Sequence, residues 1–259
     1  MEIITSYYTD VGTTKQINQD SLSVKVVNSP DGKIVFALVC DGMGGLEQGE
    51  LASKEVAVAF NDWFATDFAS MVVDHTFSED KIYKQWKQLI CKVNQEIGYH
   101  AAEQGIMMGT TLSALLIYKG WYYICHVGDS RIYMIEKDVE QITEDQTVVA
   151  QEIEMGRIKK EQALKDPRRS ILLQCIGASQ VIEPQFESGI IRNDVTFLLA
   201  SDGFVHLISE EEIYKKLQVD RIKDKEYATE VCQELTILAM QRGERDNITV
   251  VVIAIKEIE

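Results

Sequence analysis

The 259-residue sequence has few of the features that mark linkers or membrane segments. It contains only three prolines and no stretch rich in glycine and serine, so we predict a single compact domain over residues 1–259. The apolar runs have the length of strands, well short of the roughly 20 residues that a membrane-spanning helix needs. Residues 1–11 hold neither a basic stretch nor an apolar core, and this composition predicts no signal peptide.

The cysteines and histidines show none of the spacings of a disulfide framework or a zinc site. The five cysteines are scattered, odd in number and without a Cys-x-x-Cys pair, a pattern that favours a reducing cytoplasm. We therefore expect a cytoplasmic protein whose cysteines are small buried apolar residues. None of the four histidines lies in a metal motif, and we expect His126 and His206 to be structural.

Basic residues are in the minority, 26 against 41 acidic residues, which gives a formal net charge of -15. Lysine and arginine supply most of the affinity for nucleic acids and anionic membranes, so we expect neither as a partner. The sequence also has no nucleotide-binding loop of the form GxxxxGK[ST]. Most of the acidic excess is expected to form a solvated surface, and only a few carboxylates stand in positions that suit bound cations.

Short apolar runs with the composition of β-strands recur along the chain. They span about residues 21–28, 33–40, 111–118, 121–127, 131–135, 195–200 and 248–255. Turn signals at Asp31-Gly32 and Lys119-Gly120 predict antiparallel pairing of the strands on either side. Helical periodicity covers residues 47–68, 79–104 and 225–242, and a capping-box pattern starts a further helix at Ser209. Because helices do not alternate one for one with strands, we predict an α+β fold of antiparallel sheets covered by helices.

Three Asp-Gly pairs differ in their surroundings. Asp31-Gly32 lies in a polar turn between two strands, and we interpret it as a hairpin turn. Asp41-Gly42 directly follows a buried apolar run, and Asp202-Gly203 repeats that arrangement. A carboxylate at the end of a buried strand is held rigidly, and the adjacent glycine lets a backbone carbonyl approach a ligand. The second and third pairs are therefore candidate ligand sites.

Asp20, Asp129 and Asp246 occupy comparable positions at strand edges, although the spacing around Asp129 fits a hairpin turn equally well. Carboxylates without histidine or cysteine partners suit Mg²⁺ or Mn²⁺, not zinc or copper. Asp20, Asp41, Asp202 and Asp246 would carry four negative charges, which balance two divalent cations. In two-metal hydrolytic sites the ions lie roughly 3.5–4 Å apart, and a water shared between them acts as the nucleophile of an in-line displacement.

These residues belong to a series of motifs that matches a known family nearly end to end. The motifs are Thr9-Asp10-Val11-Gly12 with Asn18-Gln19-Asp20, Asp41-Gly42-Met43-Gly44-Gly45 with Gly49-Glu50 and Ala52-Ser53, Gly109-Thr110-Thr111, Val127-Gly128-Asp129-Ser130-Arg131, Thr143-Glu144-Asp145-Gln146, Ser201-Asp202-Gly203, and Asp246-Asn247-Ile248-Thr249. Through them the chain resembles the metal-dependent protein phosphatases of type 2C, in their bacterial single-domain form. Any one motif is a weak signal, whereas the ordered series is specific.

The resemblance implies a four-layer α-β-β-α sandwich, two antiparallel sheets packed together with helices outside. It makes Asp41 the carboxylate that bridges two Mn²⁺ or Mg²⁺ ions. The remaining ligands implied by the resemblance are the Gly42 carbonyl oxygen, Asp202 and Asp246 on one ion, Asp20 through water on the other, and Asp129 with Asp202 at a weaker third site.

Two departures from the family pattern concern the phosphate and the general acid. The family usually has an arginine where Lys15 stands, and a lysine supplies the charge without the two-pronged fork. We expect Lys15 to bind the substrate phosphate weakly or with a helper arginine from elsewhere, and a solvated surface lysine is the alternative. Leu46 stands where the family commonly has a histidine, so the proton for the leaving oxygen could come from a water at the metals.

The resemblance also implies a function and its partners. It predicts a monomeric protein serine/threonine phosphatase that acts on phosphoserine and phosphothreonine proteins and opposes a serine/threonine kinase in signalling. Residues 146–177 would form a flap beside the active site, where Arg157, Arg168 and Arg169 could meet phosphoproteins or be ordinary surface residues. Two alternatives stay open: a catalytically inactive phosphatase-like binding module, and a phosphoesterase that acts on a small phosphoester.

Overall fold

The structure is a computed structural model that describes residues 2–44, 48–163, 166–192 and 194–256. Gly45, Leu46 and the predicted helix start at residue 47 lie outside the described residues. Within those ranges no helix combines the length and the apolar character that crossing a membrane requires.

Strands in the described residues form two antiparallel sheets. They are β1 Glu2–Asp10, β2 Asp20–Ser29, β3 Gly32–Gly44, β4 Met108–Thr110, β5 Leu112–Tyr118, β6 Trp121–Val127, β7 Arg131–Ile135, β8 Val139–Gln141, β9 Gln185–Ile190, β10 Val195–Ala200 and β11 Ile248–Lys256. The first sheet has the order β1-β11-β10-β7-β8, and the second has the order β2-β3-β5-β6-β9 with β4 paired to β3. Both predicted hairpins, β2–β3 and β5–β6, are present. In the second hairpin Lys119 and Gly120 take the positive φ angles of a tight turn, 52° and 76°.

The helices of the described residues are α1 Gln48–Trp63, α2 Ala69–Val73, α3 Glu79–Gln104, α4 Val148–Glu154, α5 Lys160–Ala163, α6 Asp202–Val205, α7 Glu210–Leu217 and α8 Lys225–Gln241. Of these, α1 and α3 pack on the outer face of the second sheet, and α7 and α8 on that of the first. A π-helical turn, Phe64–Phe68, joins α1 to α2, so that the first predicted helix is not a regular α-helix to its end. The predicted capping box is present at Ser209. The Ser209 side chain accepts a hydrogen bond from the backbone N–H of Glu212, and the backbone N–H of Ser209 donates to the carboxylate of Glu212.

Three apolar cores separate four layers. Along β3, Val35 and Val39 face a core between the two sheets, while Phe36 and Leu38 face a core beneath α1 and α3. This alternation buries both faces of the strand and explains its unbroken apolar run. A third core lies between the first sheet and helices α7 and α8. The arrangement confirms the predicted α+β fold and the four-layer α-β-β-α sandwich.

Four strands are present that the apolar pattern did not predict: β1, β4, β8 and β9. In β1 one of the buried positions is a serine, Ser6, which is 2% exposed, so the apolar alternation is broken there. β4 and β8 have three residues each, too few for a period of two to be visible. β9 forms one edge of the second sheet and is only partly buried along its length.

The core between the sheets should dominate the stability of the chain. Phe197 on β10 is fully buried there, so Phe197→Ala is expected to lower the free energy of unfolding by about 3–5 kcal/mol. Val73→Ala, at a position that is 75% exposed, is expected to change it by no more than about 0.5 kcal/mol. Denaturant unfolding of both variants tests the expectation, and a similar loss in the two would contradict it.

Candidate metal centre

The predicted aspartates converge at one end of the sandwich. Asp20 and Asp41 are cross-strand partners on β2 and β3 of the second sheet. Asp202 follows β10 and Asp246 precedes β11, and these two strands are antiparallel neighbours in the first sheet. The strand ends therefore bring carboxylates from both sheets together, as the positions at the strand edges predicted.

Burial and mutual repulsion shift the protonation of these carboxylates upward. Burial, followed by the charges of Asp20 and Asp202, raises the pKa of Asp41 well above its usual range. Burial raises the pKa of Asp20 to about 7, although hydrogen bonds partly offset it, and burial and the charge of Asp202 raise the pKa of Asp129 to about 8. The pKa of Asp202 is raised as well, chiefly by burial. Without cations the site therefore has an excess of negative charge.

The oxygen atoms of these side chains divide into satisfied and unsatisfied ones. Oδ2 of Asp20 accepts a hydrogen bond from the Ser201 hydroxyl at 3.0 Å, whereas its Oδ1 is buried without a hydrogen-bond partner. Oδ1 of Asp202 is likewise buried and unpaired. Oδ1 of Asp246 accepts from the backbone N–H of Asn247 at 2.8 Å. Buried carboxylate oxygens without donors are what a hard divalent cation would complete, so the residues fit Mg²⁺ or Mn²⁺.

The backbone at Asp41 is fixed by the Gly109-Thr110-Thr111 motif. The Asp41 N–H donates to the Thr111 hydroxyl at 2.9 Å, and the Asp41 carbonyl accepts from the Thr111 N–H and the Thr110 hydroxyl, both at 2.9 Å. Gly42 lies against the start of α1, where a Cβ atom would be 2.1 Å from the Gly49 carbonyl oxygen. Only glycine fits here, and its carbonyl stays free of side-chain obstruction.

Asn247 ties the second half of the site to the loop between β1 and β2. Its Oδ1 accepts from the Gln19 N–H at 2.9 Å, and its Nδ2 donates to the carbonyls of Val11 and Ile17 at 2.9 and 3.1 Å. Asp20 is thereby held in place through its neighbour in the chain. The pairing of Asp-Asn in the last motif thus has a structural reason, since one residue faces the site and the next fixes the loop.

Asp129 lies at the rim of the same site, at the turn between β6 and β7. It is 8% exposed, and its neighbour Ser130 shares a hydrogen bond of 2.8 Å with the Thr111 hydroxyl. The guanidinium group of Arg131 makes two hydrogen bonds to Asp145, of 2.8 and 2.6 Å, which anchors the start of the predicted flap. Asp129 consequently lies close to the other carboxylates and near the start of the predicted flap.

Lys15 reaches the site from the loop between β1 and β2. Its Nζ atom is 2.8 Å from Oδ1 of Asp246, and both side chains are 41% exposed. Burial opposes protonation of Lys15, but the carboxylates of Asp246, Asp41 and Asp202 outweigh it and raise its pKa. The structure therefore places the ammonium group at the carboxylate cluster and not in open solvent.

His206 and Glu244 belong to the surroundings of the site and were not among the predicted site residues. Nε2 of His206 is 3.8 Å from Oδ2 of Asp202, and its Nδ1 is 3.7 Å from Oε2 of Glu244. Burial lowers the basicity of His206, but the two carboxylates outweigh it and raise its pKa. The sequence signal was the spacing of His206 four residues after Asp202, which puts the two on one side of a helical turn.

His126, the other histidine predicted to be structural, is fully buried. Its Nε2 atom lies 3.0 and 3.1 Å from the carbonyl oxygens of Gly128 and Glu144, and its Nδ1 lies 2.9 Å from the Ser113 hydroxyl. Burial lowers its pKa to about 4, so the ring is neutral at physiological pH. This environment agrees with a structural role.

The arginines of the predicted flap have different surroundings. Arg157 pairs with Glu152 at 2.8 Å and Arg168 pairs with Asp166 at 2.9 Å, so both are engaged by acids of the flap itself. Arg169 is exposed, and its charge opposes protonation of His206. The charge of Arg169 therefore acts on a histidine that lies beside the Asp202 carboxylate.

Within the described ranges, no three or more His, Cys, Asp or Glu side chains stand in an arrangement that could already hold a metal ion. Any ion at this site would therefore need backbone carbonyls, water or phosphate oxygens in addition to carboxylates. Mg²⁺ commonly binds in this way, because it keeps several waters beside one or two carboxylates.

Residues 12–236 match the family described as Protein phosphatase 2C. The chain belongs to this family. Protein phosphatase PhpP of Streptococcus pneumoniae is 33% identical to it over 263 residues, which cover 99% of this chain and 98% of PhpP. The predicted membership of the type 2C phosphatases is confirmed.

Solved structures of type 2C phosphatases have the same fold. The S. agalactiae serine/threonine phosphatase superposes with a TM-score of 0.84 at 27% identity, covering 98% of this chain and 100% of that one. The catalytic domain of the serine/threonine phosphatase PstP, in complex with two manganese ions, superposes with a TM-score of 0.77 at 26% identity, covering 99% and 100%.

The raised carboxyl pKa values predict how Mn²⁺ stabilises this type 2C phosphatase at different pH. The pKa values of Asp20 and Asp129 lie above the ordinary value of about 4, so the contribution of these two carboxyls to metal-free stability is fully present below pH 4 and is lost as the pH rises through 7 to 8. Mn²⁺ needs the deprotonated carboxylates, so its stabilising effect should grow over the same interval.

Thermal unfolding with and without Mn²⁺ measures this effect. At pH 8, Mn²⁺ at a hundred times its Kd should raise the Tm by about 5–10 °C, and at pH 6 by clearly less. A shift that does not depend on pH, or that persists in Asp41→Asn, would contradict the expectation.

Proposed function

We propose that this protein serine/threonine phosphatase is metal-dependent, and that Asp20, Asp41, Asp202 and Asp246 hold two divalent cations, Mn²⁺ or Mg²⁺. The observation that carries the proposal is the set of buried carboxylates whose charges raise one another's pKa and whose Oδ1 atoms at Asp20 and Asp202 have no donor. Two divalent cations would neutralise the four carboxylates. The PstP structure with two manganese ions supports the count by analogy.

Each residue has a proposed role. Asp41 would be shared by the two ions, and Gly42 would offer its carbonyl oxygen beside it. The close approach to Gly49 leaves no room for a side chain at residue 42. Asp202 and Asp246 would complete the ligands of one ion, and Asp20 would hold the other through water. Asp129 with Asp202 forms a weaker third site, which the contribution of the Asp202 charge to the pKa of Asp129 supports.

The reaction is hydrolysis of the phosphate ester of phosphoserine or phosphothreonine in protein substrates. Bound divalent cations would supply an activated water and would neutralise charge on the phosphoryl oxygens. Lys15 lies next to Asp246 and adds a positive charge that can bind a phosphoryl oxygen. The carboxylates that the family pattern requires are all present, which disfavours an inactive binding module.

The partners are phosphoserine and phosphothreonine proteins, among them a serine/threonine kinase or its substrates, in a signalling switch. The proposal treats the chain as a cytoplasmic monomer of one domain with a flap over residues 146–177. The Arg131–Asp145 pair would anchor the start of this flap, and the charge of Arg169 within it opposes protonation of His206. The net charge of -15 agrees with a protein substrate and not a nucleic acid.

Asp41→Asn tests the metal-dependent mechanism. It should lower Mn²⁺-dependent hydrolysis of a phosphothreonine peptide by more than about 100-fold, since loss of a ligand exceeds the 10- to 100-fold loss typical of residues that only orient ligands. Asp31→Asn is the matched control, because Asp31-Gly32 is also an Asp-Gly pair but lies in the β2–β3 hairpin. Activity that survives a chelator, or an active Asp41→Asn variant, would contradict the metal-dependent mechanism. Faster turnover of a small phosphoester than of the peptide would favour the phosphoesterase alternative.

Lys15→Ala tests the binding of phosphate. Loss of a hydrogen bond from a charged donor is worth about 1.5–3 kcal/mol, so kcat/KM should fall about 10- to 100-fold. Lys15→Arg should keep most of the activity, because it preserves the charge and presents two coplanar N–H donors to the phosphate. Lys223→Ala, at an exposed position, should leave the rate unchanged. A wild-type rate for Lys15→Ala would mean that Lys15 is a solvated surface lysine without a role in phosphate binding.

A further inference from the structure

His206 lies between two carboxylates from different parts of the chain. It stands at the C-terminal end of α6, where its Nε2 atom is 3.8 Å from Oδ2 of Asp202. Its Nδ1 atom is 3.7 Å from Oε2 of Glu244, in the turn between α8 and β11. The side chains of His206 and Glu244 are 17% and 8% exposed, so water competes little for these charge contacts.

Glu244 also fixes the turn that carries Asp246. Its Oε1 atom accepts hydrogen bonds from the backbone N–H groups of Arg245 and Asp246, at 2.7 and 3.1 Å. The backbone of Glu244 is itself held at both ends, because its N–H donates to the Ala239 carbonyl at 3.1 Å and its carbonyl accepts from the Thr13 hydroxyl at 3.2 Å. One oxygen of Glu244 therefore holds the turn and the other faces His206.

We propose that His206 and Glu244 are positioning residues that keep Asp202 and Asp246, the two carboxylates assigned to one ion, in a fixed relation. His206 faces Oδ2 of Asp202, and this leaves the unpaired Oδ1 for the cation. Glu244 connects His206 to the backbone of Asp246, so two ligands on separate elements behave as one unit. The inference rests on the proposed metal-dependent function, because positioning these carboxylates has its effect through metal binding.

Positioning and simple charge balance predict opposite effects when His206 is replaced. A positive ring beside the site repels a divalent cation, so its loss alone would tighten Mn²⁺ binding. Loss of positioning frees the Asp202 carboxylate to rotate, and residues that orient ligands in this way typically contribute 10- to 100-fold to metal affinity. The sign of the change in affinity therefore separates the two roles.

Calorimetric titration of Mn²⁺ into the full, chelator-treated chain measures this affinity directly. His206→Gln should raise the Kd about 10- to 100-fold. Glu244→Gln keeps an oxygen that accepts the two N–H groups of the turn and should raise the Kd by a similar factor. Glu244→Ala also releases the turn and should raise it further. The double variant His206→Gln with Glu244→Gln should have a Kd no higher than that of whichever of these two single variants binds Mn²⁺ more weakly, because the two residues act as a unit.

His100→Gln is the matched control, since His100 lies on α3, where its Nε2 atom is 2.9 Å from the side-chain nitrogen of Gln104. Its Kd should stay within twofold of the wild-type value. An unchanged or lower Kd for His206→Gln would overturn the proposal, and so would a lower metal-free Tm without a change in Kd. If His206→Gln does not fold, the Glu244→Gln Kd decides in the same way.

Asp41→Asn separates this inference from the proposed function. If Asp41→Asn abolishes Mn²⁺ binding while His206→Gln and Glu244→Gln bind as the wild type does, only the positioning roles are wrong. If the wild-type chain itself binds no Mn²⁺ and Mg²⁺ gives no heat either, the metal-dependent function fails and the positioning roles fail with it.

Discussion

Several carboxylates of like charge lie close together at one end of two packed sheets, and the rest of the structure has to offset their repulsion. Burial and repulsion raise the pKa values of Asp20, Asp41, Asp129 and Asp202, so their assembly opposes folding at neutral pH when no cation balances the charge. The three apolar cores offset this cost, because they bury both faces of the central strands. The apolar layers thus stabilise the fold, and the carboxylates at the strand ends do not have to contribute to its stability.

Neutral hydrogen bonds, more than ion pairs, hold these carboxylates in place. The Thr111 hydroxyl and N–H fix the backbone of Asp41, the Ser201 hydroxyl binds Asp20, and Asn247 links the loop before Asp20 to the start of β11. Such contacts orient a carboxylate without neutralising it, so its charge remains available to a cation. This agrees with the hydroxyl or amide residues that stand next to Asp20, Asp129, Asp202 and Asp246 in the sequence.

Local patterns in the sequence predicted antiparallel sheets covered by helices and aspartates at the strand edges, whereas the four-layer sandwich was implied by the resemblance to the type 2C family. A buried strand that ends in Asp-Gly is visible as an apolar run followed by a turn residue, and the same pattern correctly separated Asp31 from Asp41. β1 and β9 escaped prediction because their burial does not follow apolar alternation. His206 and Glu244 escaped because their importance comes from tertiary proximity, with 37 residues between them and no motif to mark either one.

The contact between Lys15 and Asp246 shows how the site manages charge before substrate arrives. An ammonium group 2.8 Å from a carboxylate neutralises part of the cluster, and it does so on a flexible side chain that is 41% exposed. A phosphate group entering beside Asp246 competes for this ammonium group. In the proposed site, a cation on Asp246 would weaken the hold of that carboxylate on Lys15, so cation binding and phosphate binding would favour each other. An arginine would bind phosphate with two donors, but it would also bind Asp246 with two. A lysine would therefore move from Asp246 to phosphate at a lower cost in free energy.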